Sequence, residues 1–571
     1  MRSSSHYFLQ GLTDLGIDYI FSNFGTDHVS IIEELAHWKD EGRPHPEVVL
    51  VPHENVAVHM AFGYAAITGR GQAVMVHVDA GTANSVMGLH NMFRTRIPVL
   101  LMAGKAPFTI RGELLGSRDN YVHFVQDPFD IASLVRPYVK WDYNLPSGVI
   151  AKEVLRRANS VMQSDPPGPV YLTLPREVLA EEWEESRVAE FSDARYGAVK
   201  AGGIDPTRAE EIAKRLMQAD KPIVVTTYLG RKAEAVTALE ELALLCGIRV
   251  YEFAPTALSI SRESPCFGGF DPGKNLQGVD VGLLFDVDVP WLPQYATPDA
   301  ATRWIHVDVD TIKKDFPMWG FATDMRVQAD CTSVLRQVID IVKANSDATF
   351  KKKVAARIDS WTDTNKMRTS GISRAAEDTG KVGAISPAYL MSVIGKAISP
   401  DDIIVNEAIR NSPAVLSQIP RTKPMTLLGC AGGGLGYSGG IAIGAKLAKP
   451  EVRVLQIVGD GGFHFGTPTS VYAVTQRYSA PILTVVLDNN GWQAVKEAVL
   501  RVYPDGAAAG ANEYQARLTG EVRSFEKVGE AFGAYGECVS DPAQVEAAVA
   551  RCLKAVDNGQ SAILNVLIGS L

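Results

Sequence analysis

Cysteine is scarce in this chain of 571 residues, and the few cysteines present lie far apart. They form no CxxC pair and comprise Cys246, Cys266, Cys331, Cys430, Cys538 and Cys552. This distribution excludes a zinc-ribbon framework and argues against the paired disulfides of a small secreted protein. It is typical of reduced, mostly buried thiols, so we expect a cytoplasmic protein.

Long apolar runs and an excess of basic residues are also missing. No stretch reaches the roughly 18 apolar residues that a membrane-spanning helix needs. Lys and Arg number 56 against 65 Asp and Glu, which gives a formal net charge of −9. A negative balance of this kind provides no general attraction to nucleic acid or to an anionic membrane. We therefore expect neither partner.

The chain does contain a repeated alternation of apolar strands and helices. Strands such as "QAVMVHV" and "IPVLLMAG" lack a polar/apolar alternation, as expected when both faces are covered. A charged segment, 176–203, and a polar segment, 344–380, interrupt the pattern. It predicts an α/β protein with three doubly wound parallel-sheet domains. We place these domains at residues 1–185, 200–345 and 380–571.

Two strands of the third region end in polar residues. "QIVGDGG" places Asp460 at one strand end, and "PILTVVLDNNGW" places Asn490 at the next. Because carboxyl ends of parallel strands share one edge, both oxygens and the backbone carbonyl of Trp492 could bind Mg²⁺. Gly461 and Gly462 would let a diphosphate approach the backbone N–H groups. The two strand ends, with Asp460 and Asn490, together predict a site for a metal-bridged diphosphate, although Gly-Asp-Gly alone also suits a simple turn.

This spacing resembles the cofactor signature of thiamine-diphosphate-dependent enzymes, and the resemblance extends over essentially the whole chain. It is strongest toward the acetolactate synthase and benzoylformate decarboxylase branch. The resemblance implies a pyrimidine-binding, a middle and a diphosphate-binding domain, with thiamine diphosphate and Mg²⁺ as cofactors. It also implies a homodimer or homotetramer whose cofactor lies between the first domain of one subunit and the third of another.

The resemblance assigns roles to three further residues. Glu54, in "VPHENVAVHMAFGYAAITGR", matches the glutamate that hydrogen-bonds a pyrimidine nitrogen, so that the cofactor can lose its C2 proton. Leu435, in "GGGLGYSGG", matches the residue that bends the cofactor, and Gly433 would offer its carbonyl to the exocyclic amine. Without the resemblance, Glu54 is equally a favourable charge at a helix start, and Leu435 a core leucine.

The sequence indicates the residues that would contact the substrate less specifically than those that would bind the cofactor. His77 matches a histidine of benzoylformate decarboxylases that handles substrate protons, and Thr26 matches their substrate-facing serine. Gln126 falls where acetolactate synthases carry a pocket glutamine, with His123 nearby. Pro293 replaces the second histidine of benzoylformate decarboxylases, and the adjacent His-His pair of pyruvate decarboxylases is absent.

We therefore expect decarboxylation or C–C cleavage of a small 2-oxo or 2-hydroxy acid, with carboligation of the acyl unit as a second outcome. An enzyme acting on coenzyme A thioesters, such as a 2-hydroxyacyl-coenzyme A lyase or an oxalyl-coenzyme A decarboxylase, is the alternative. It would use basic residues such as Arg231, Lys232 and Arg303. Residues 190–345 carry no clear flavin signature, which leaves FAD open. A nicotinamide-dependent oxidoreductase using "GCAGGGLG" and a catalytically silent paralogue are remote alternatives.

Overall fold

The computed structural model describes residues 1–191, 193–520 and 523–570. Three six-stranded sheets dominate it, every strand pairing in them is parallel, and helices flank the sheets. The predicted fold class, three α/β domains, is confirmed. No helix within these ranges is both long and apolar enough to cross a bilayer.

The first domain is built on the sheet order β3-β2-β4-β5-β7-β6. Its strands are β1 Arg2–Ser3, β2 Tyr19–Asn23, β3 Glu47–Leu50, β4 Gln72–Val76, β5 Val99–Lys105, β6 Asp142–Asn144, β7 Val170–Pro175 and β8 Glu182–Trp183. Its helices are α1 Ser4–Asp14, α2 Val29–Asp40, α3 Glu54–Thr68, α4 Ala80–Thr95, α5 Val122–Val125, α6 Ala151–Gln163, α7 Arg176–Ala180 and α8 Asp193–Tyr196. All residues of β4 are buried, which explains the unbroken apolar run in its sequence.

The second domain has the sheet order β11-β10-β9-β12-β13-β14. Its strands are β9 Pro222–Thr226, β10 Arg249–Glu252, β11 Phe267–Gly269, β12 Val281–Phe285, β13 Arg303–Asp308 and β14 Met325–Gln328. Its helices are α9 Pro206–Gln218, α10 Ala233–Cys246 and α11 Cys331–Asn345. The polar segment that follows is not irregular, because it forms two helices, α12 Ala348–Ser360 and α13 Thr362–Glu377.

The third domain has the sheet order β18-β17-β19-β20-β22-β21. Its strands are β15 Gly380–Lys381, β16 Ala384–Ile385, β17 Ile403–Glu407, β18 Leu427–Leu428, β19 Val454–Gly459, β20 Leu483–Asp488, β21 Tyr535–Val539 and β22 Ala562–Leu567. Its helices are α14 Pro387–Ala397, α15 Ser412–Gln418, α16 Ser438–Ala448, α17 Asp460–Phe465, α18 Pro468–Arg477, α19 Gln493–Val502, α20 Ala507–Ala511, α21 Glu526–Glu530 and α22 Val545–Asp557. Ser386 caps α14 and Pro387 begins it, a position where proline's missing N–H costs no helical hydrogen bond.

Helices α3 and α16 bring the first and third domains together. Glycines let the two backbones approach closely: a Cβ on Gly63 would lie 2.1 Å from the carbonyl oxygen of Ile441, and one on Gly444 would lie 2.0 Å from that of Met60. The start of α3 consequently meets the loop that precedes α16. This contact positions the candidate site.

Candidate active site

Asp460 connects the ends of two neighbouring strands. It follows β19, which pairs with β20 along its length. Its side chain is buried, and its Oδ1 and Oδ2 accept hydrogen bonds from the backbone N–H groups of Gly461 (2.8 Å) and Gly491 (2.9 Å). The two predicted strand ends therefore lie side by side.

The two asparagines after β20 point in different directions. Asn490 has a left-handed backbone (φ 57°), and its Oδ1 accepts from the backbone N (3.0 Å) and Oγ1 (2.9 Å) of Thr519. The Asn489 amide, oriented with its nitrogen inward, instead donates to Asp460 Oδ1 at 3.3 Å. The structure thus brings Asn489, which sequence reasoning missed, to the carboxylate and directs Asn490 toward Thr519.

Trp492 covers the glycine end of β19. A Cβ on Gly461 would lie 2.1 Å from the Trp492 indole, so only glycine fits beneath this ring. The Trp492 carbonyl accepts from the N–H groups of Val495 (2.9 Å) and Lys496 (3.2 Å) in the first turn of α19. Gly462 is equally constrained, because a Cβ there would lie 2.9 Å from Val458 Cγ2. These glycines provide the flat backbone that a diphosphate requires.

The electrostatics of this edge favour a cation. Burial, and then the charge of nearby Asp488, raise the pKa of Asp460 to about 6. Asp488 is itself neutralised by Arg523, whose Nε lies 2.8 Å from both of its carboxylate oxygens. Among the described residues no three His, Cys, Asp or Glu side chains cluster to hold a metal ion. A cation here would rely on one carboxylate and neutral oxygens, which suits Mg²⁺.

The glycine-rich loop is anchored by Glu407, a residue at the end of β17 that sequence reasoning missed. This buried carboxylate accepts from the N–H groups of Gly436 and Ser438 and from the Ser438 hydroxyl. Gly433 (φ +77°) and Gly436 (φ +84°) adopt left-handed backbones that favour glycine. Gly433 is exposed and Leu435 half-buried, so both are accessible from the cavity side of the loop.

Glu54 lies at the start of α3, against this loop. It is buried, and its two carboxylate oxygens accept from Nδ2 of Asn23 (2.9 Å) and of Asn84 (3.0 Å). Asn55, the next residue, donates from Nδ2 to the carbonyl of Gly436 at 3.2 Å. The glutamate and the loop of the third domain therefore meet within one chain. Asn23 was detectable as a polar residue at a strand end, whereas Asn84 left no sequence signal.

The substrate candidates of the first domain make two separate sets of hydrogen bonds. His77 Nδ1 lies 2.6 Å from Asp27 Oδ1, and its Nε2 lies 2.9 Å from Gln126 Oε1. The hydroxyl of Thr26 lies 3.3 Å from Nε2 of the buried His123. The structure thus joins His77 to Gln126, while Thr26 contacts His123. Asp27, adjacent to Thr26, was missed.

The charges around the Asp27–His77 pair favour a protonated ring. The hydrogen bond to Asp27 raises the pKa of His77, with the charge of that carboxylate adding to it, against the opposing effect of burial. For Asp27, burial opposes ionisation, but the charges of His28 and His77 and the hydrogen bond to His77 hold the pKa below its usual value. With the Gln126 amide oxygen facing the ring, both neighbours are acceptors, which suits the doubly protonated imidazolium.

Two glycines make room for this pair. A Cβ on Gly25 would lie 1.9 Å from His77 Nδ1, and one on Gly104 would lie 1.5 Å from Asp27 Oδ2. Asp27 Oδ2 also accepts from the N–H of Val78 at 3.0 Å. The pair is therefore held rigidly on three sides.

The residues considered for coenzyme A are already paired. Arg231 lies 3.0 Å from buried Asp286, Arg303 binds Asp324 at 2.8 Å, and Lys232 contacts Asp330.

Pro293, which stands in place of a second histidine, is exposed. Gln493 donates to Glu497 along α19 at 3.1 Å.

A flavin would bind the second domain where its strand order reverses, between β9 and β12. Ion-paired side chains occupy part of that crevice. Buried Asp308 accepts from Arg96 Nη1 (2.5 Å), from Lys313 Nζ (2.7 Å) and from the hydroxyl of Tyr228, which follows β9 (3.0 Å). Arg96 comes from the end of α4 in the first domain, and a cavity of about 450 Å³ remains beside it. The charged side chains at these strand ends are therefore engaged with one another.

The chain has three parallel α/β domains. In the third domain a buried carboxylate, Asp460, lies at a strand end followed by glycines, and the start of a first-domain helix contacts the glycine loop of the same domain. This arrangement defines a class of enzymes that bind a diphosphate cofactor. This chain belongs to the thiamine pyrophosphate enzymes. It matches their N-terminal TPP binding domain over residues 2–134 and their C-terminal TPP binding domain over residues 411–566, together just over half of the chain.

Relatives cover nearly the full length. The acetolactate synthase isozyme 3 large subunit of Escherichia coli (strain K12) is 24% identical over 590 residues, covering 100% of this chain and 95% of that protein. The benzoylformate decarboxylase of Pseudomonas aeruginosa is 24% identical over 496 residues, covering 84% and 85%.

Among solved structures, a benzoylformate decarboxylase from Polynucleobacter necessarius superposes with a TM-score of 0.79 at 18% identity, covering 100% of this chain and 99% of that one. A thiamine diphosphate-dependent 4-hydroxybenzoylformate decarboxylase from Rhodococcus jostii RHA1 also gives 0.79, at 20% identity, with 100% of both chains covered. At these identities the likeness establishes the fold.

Proposed function

We propose that this protein uses thiamine diphosphate and Mg²⁺ to decarboxylate or cleave a small 2-oxo or 2-hydroxy acid, with carboligation of the acyl unit as a second outcome. The observation that carries this proposal is the contact between the start of α3, where Asn55 beside Glu54 donates to Gly436, and the glycine loop of the third domain, the domain whose strand end carries the buried Asp460. The names of the relatives, acetolactate synthase and benzoylformate decarboxylase, support the same substrate class.

In this proposal the third domain holds the cofactor. Asp460 and the carbonyl of Trp492 would ligate Mg²⁺, together with a carboxamide oxygen of Asn490 or its neighbour Asn489. The N–H groups of Gly461 and Gly462 would face the diphosphate. When bound, thiamine diphosphate supplies a carbon nucleophile and then accepts the electron pair that decarboxylation releases.

The first domain would activate that cofactor. Glu54, fixed by two asparagine amides, would share a proton with the pyrimidine ring. Gly433 would accept a hydrogen bond from the pyrimidine amine, and Leu435 would support the bent conformation. Because both Glu54 oxygens are already held, little reorganisation is needed on binding.

His77 would handle the substrate proton. Asp27 favours the protonated ring and fixes its orientation, so that Nε2–H points toward Gln126. A charged donor in this position can bind the carboxylate or carbonyl oxygen of a 2-oxo acid and can return a proton to the product. Thr26 would contact the same substrate.

Two alternatives are less favoured by the contacts. The three basic residues considered for a coenzyme A thioester, Arg231, Lys232 and Arg303, are ion-paired, and a network of ion pairs occupies the strand ends where a flavin would bind. We therefore propose an enzyme that works without FAD, whose purified form has no visible flavin absorbance.

We further propose a cytoplasmic homodimer or homotetramer with the site shared between subunits, and domain boundaries at 1–185, 200–345 and 380–571. Apolar side chains of the segment that carries Gln126 are exposed in the single chain and suit an interface: Phe108, Ile110, Leu114, Leu115, Tyr121, Phe124, Val125 and Phe129.

The test is direct. The protein is incubated with thiamine diphosphate, Mg²⁺ and a panel of 2-oxo acids, 2-hydroxy acids and acyl-coenzyme A thioesters, while CO₂ and products are followed. We expect turnover of a 2-oxo acid that depends on both cofactors. Turnover restricted to thioesters would replace the substrate class, and cofactor-independent activity would overturn the proposal.

A further inference from the structure

A large cavity lies between the second domain and helices α13 and α15, on the outer edge of the second sheet. Its volume is about 1070 Å³, and the residues that matter for its chemistry are Arg262, Phe267, Phe270, Lys274, Asn365 and Arg368. Strand β11, which contributes Phe267, is the edge strand of its sheet. The cavity is therefore distinct from the strand ends that carry Asp460 and from the crevice partly occupied by Arg96.

Two guanidinium groups stack on one aromatic ring in its wall. The Cζ atoms of Arg262 and Arg368 lie 4.7 and 4.8 Å from the centroid of Phe267, and Arg262 also lies 4.8 Å from that of Phe270. Stacking occupies the flat faces of a guanidinium and leaves the in-plane N–H donors free for an acceptor. The rings therefore fix the orientation of both guanidinium groups.

Positive charge exceeds negative charge behind this wall. Arg249 is the third arginine, and it donates only to neutral oxygens of Pro265 (3.1 Å) and Asn365 (2.8 Å). Glu252 is the one buried carboxylate, and its Oε2 lies 2.5 Å from Arg262 Nη2. Within the described ranges, Arg368 makes no ion pair with a carboxylate. Burial lowers the pKa of Arg368, and repulsion from the two other arginines lowers it further.

The remaining charges lie on the rim. Glu263, Asp271 and Lys274 are exposed, so water screens them.

The two stacked arginines differ in how they are paired. Arg262 is only 8% exposed, and its Nη2 lies 2.5 Å from Glu252 Oε2, so this guanidinium already has a carboxylate partner. Arg368 is half-buried and lines the cavity, and its Nε is buried without an acceptor within the described part of the chain. An anionic ligand in the cavity would give the Arg368 guanidinium the charged partner that it lacks.

We propose that this cavity binds a nucleoside phosphate. The arginine donors fit the oxygens of a phosphate group, which guanidinium forks bind in a bidentate manner. The volume exceeds what inorganic phosphate needs and falls in the range of nucleotide-sized ligands, about 300–1,000 Å³ or slightly more. Half-buried Phe270 offers a ring for the base. The site is independent of the proposed reaction, since none of its residues belongs to the candidate active site.

Calorimetric titration tests this with the full chain, saturated with thiamine diphosphate and Mg²⁺ so that the cofactor site cannot capture the probe. The probes are sodium phosphate, ADP and coenzyme A at constant ionic strength. We expect saturable ADP binding, at least about tenfold tighter than phosphate because the base adds contacts. Coenzyme A binding as tightly as ADP would identify its nucleotide end as the recognised part. The absence of saturable heat from all three probes would overturn the proposal.

Variants locate the site. Arg368→Gln should weaken ADP binding by about tenfold or more, because a charged bidentate donor is lost. Arg208→Gln, an exposed arginine on α9 that does not line the cavity, is the matched control and should bind as the parent does. Unchanged affinity in Arg368→Gln would refute the assignment.

A second variant covers the case in which Arg368→Gln fails to fold. Lys274→Gln alters an exposed rim residue and leaves the stacked arginines in place. We expect it to weaken ADP binding several-fold, and full retention of ADP affinity would then count against the site.

Discussion

At the scale of single residues, the candidate site depends on buried ionisable groups whose partners determine their charge. Glu54, Asp27 and Asp460 are all buried, but each is held by different donors: asparagine amides, a histidine and backbone N–H groups. Similar carboxylates can therefore perform different tasks.

Glu54→Gln should lower kcat by about 10²–10⁴-fold, because the group that shares a proton with the pyrimidine ring is removed. Thiamine diphosphate affinity should change little, since Asp460 and the glycine backbone are untouched. Steady-state kinetics and cofactor titration measure both quantities. The control is Glu47→Gln, an exposed carboxylate on β3, and comparable activity in the two variants would contradict the assigned role.

Asp27→Asn should shift the pH profile of kcat/KM. The carboxylate raises the pKa of His77, so protonated His77 persists to higher pH in the parent. If the charged ring is the active form, activity is lost as pH rises through that pKa. Removing the carboxylate lowers the pKa and moves this alkaline limb to lower pH.

The His77 pKa can be followed by NMR titration of its ring in both proteins. If the His77 pKa falls in Asp27→Asn but the alkaline limb of the kcat/KM profile does not move, His77 does not carry the proton that controls activity. His77→Asn should remove the limb and cost about 10²-fold in kcat/KM.

Cofactor binding should depend on the protonation of Asp460. Its raised pKa, about 6 without a cation, means that protons compete with Mg²⁺ below that value. The apparent affinity for Mg²⁺ and thiamine diphosphate should therefore fall by up to about tenfold for each pH unit below 6.

The same shift has a consequence for stability. A carboxyl whose folded pKa exceeds its usual value of 3.8 favours folding at low pH, and this contribution to stability is lost as pH rises through about 6.

The Asp460→Ala variant should bind the cofactor poorly at every pH, and its cofactor affinity should no longer depend on the protonation of this side chain. Unchanged cofactor retention in this variant would exclude the metal site.

At the scale of secondary-structure elements, the contact between α3 and α16 aligns Glu54 with the glycine loop. Gly63→Ala should destabilise the protein by about 1–3 kcal/mol, because the new methyl group meets the backbone of Ile441 and the helices must separate. Urea unfolding measures the change, and kcat should fall as well because Glu54 moves with α3.

The control is Gly371→Ala in α13, where nothing lies within 4 Å of the added Cβ. There alanine should be neutral or stabilise by up to about 1 kcal/mol. Equal effects at both positions would show that helix propensity, and not close packing, determines the outcome.

Some elements were harder to predict than others. Buried strands such as β20 reveal themselves by unbroken apolar runs, because both of their faces are covered. Helix α13 has no buried residue, so it leaves no apolar periodicity, and its segment was expected only to separate domains.

At the scale of the whole molecule, the arrangement of subunits can be tested in a mixed dimer that combines two chains with different defective residues. Co-expression of Glu54→Gln and Asp460→Ala chains with different tags allows the mixed dimer to be isolated. If each site combines the first domain of one subunit with the third of the other, one site of the mixed dimer is intact. We then expect about half the parent activity, since independent sites contribute additively.

If Glu54 and Asp460 of the same chain form the site, both sites of the mixed dimer are defective. Activity at background level would then overturn the shared-site proposal. The two singly defective homodimers are the controls.

The sequence by itself determined the α/β class, the strand ends that carry Asp460 and the helix start that carries Glu54. These features are local, because neighbouring residues determine continuous apolar strands, glycine turns and helix caps. Only the tertiary structure decided which asparagine faces Asp460, that Asp27 pairs with His77, and that two stacked arginines line one cavity. Those contacts join residues tens of positions apart, and their geometry depends on how separate elements pack, which no local pattern records.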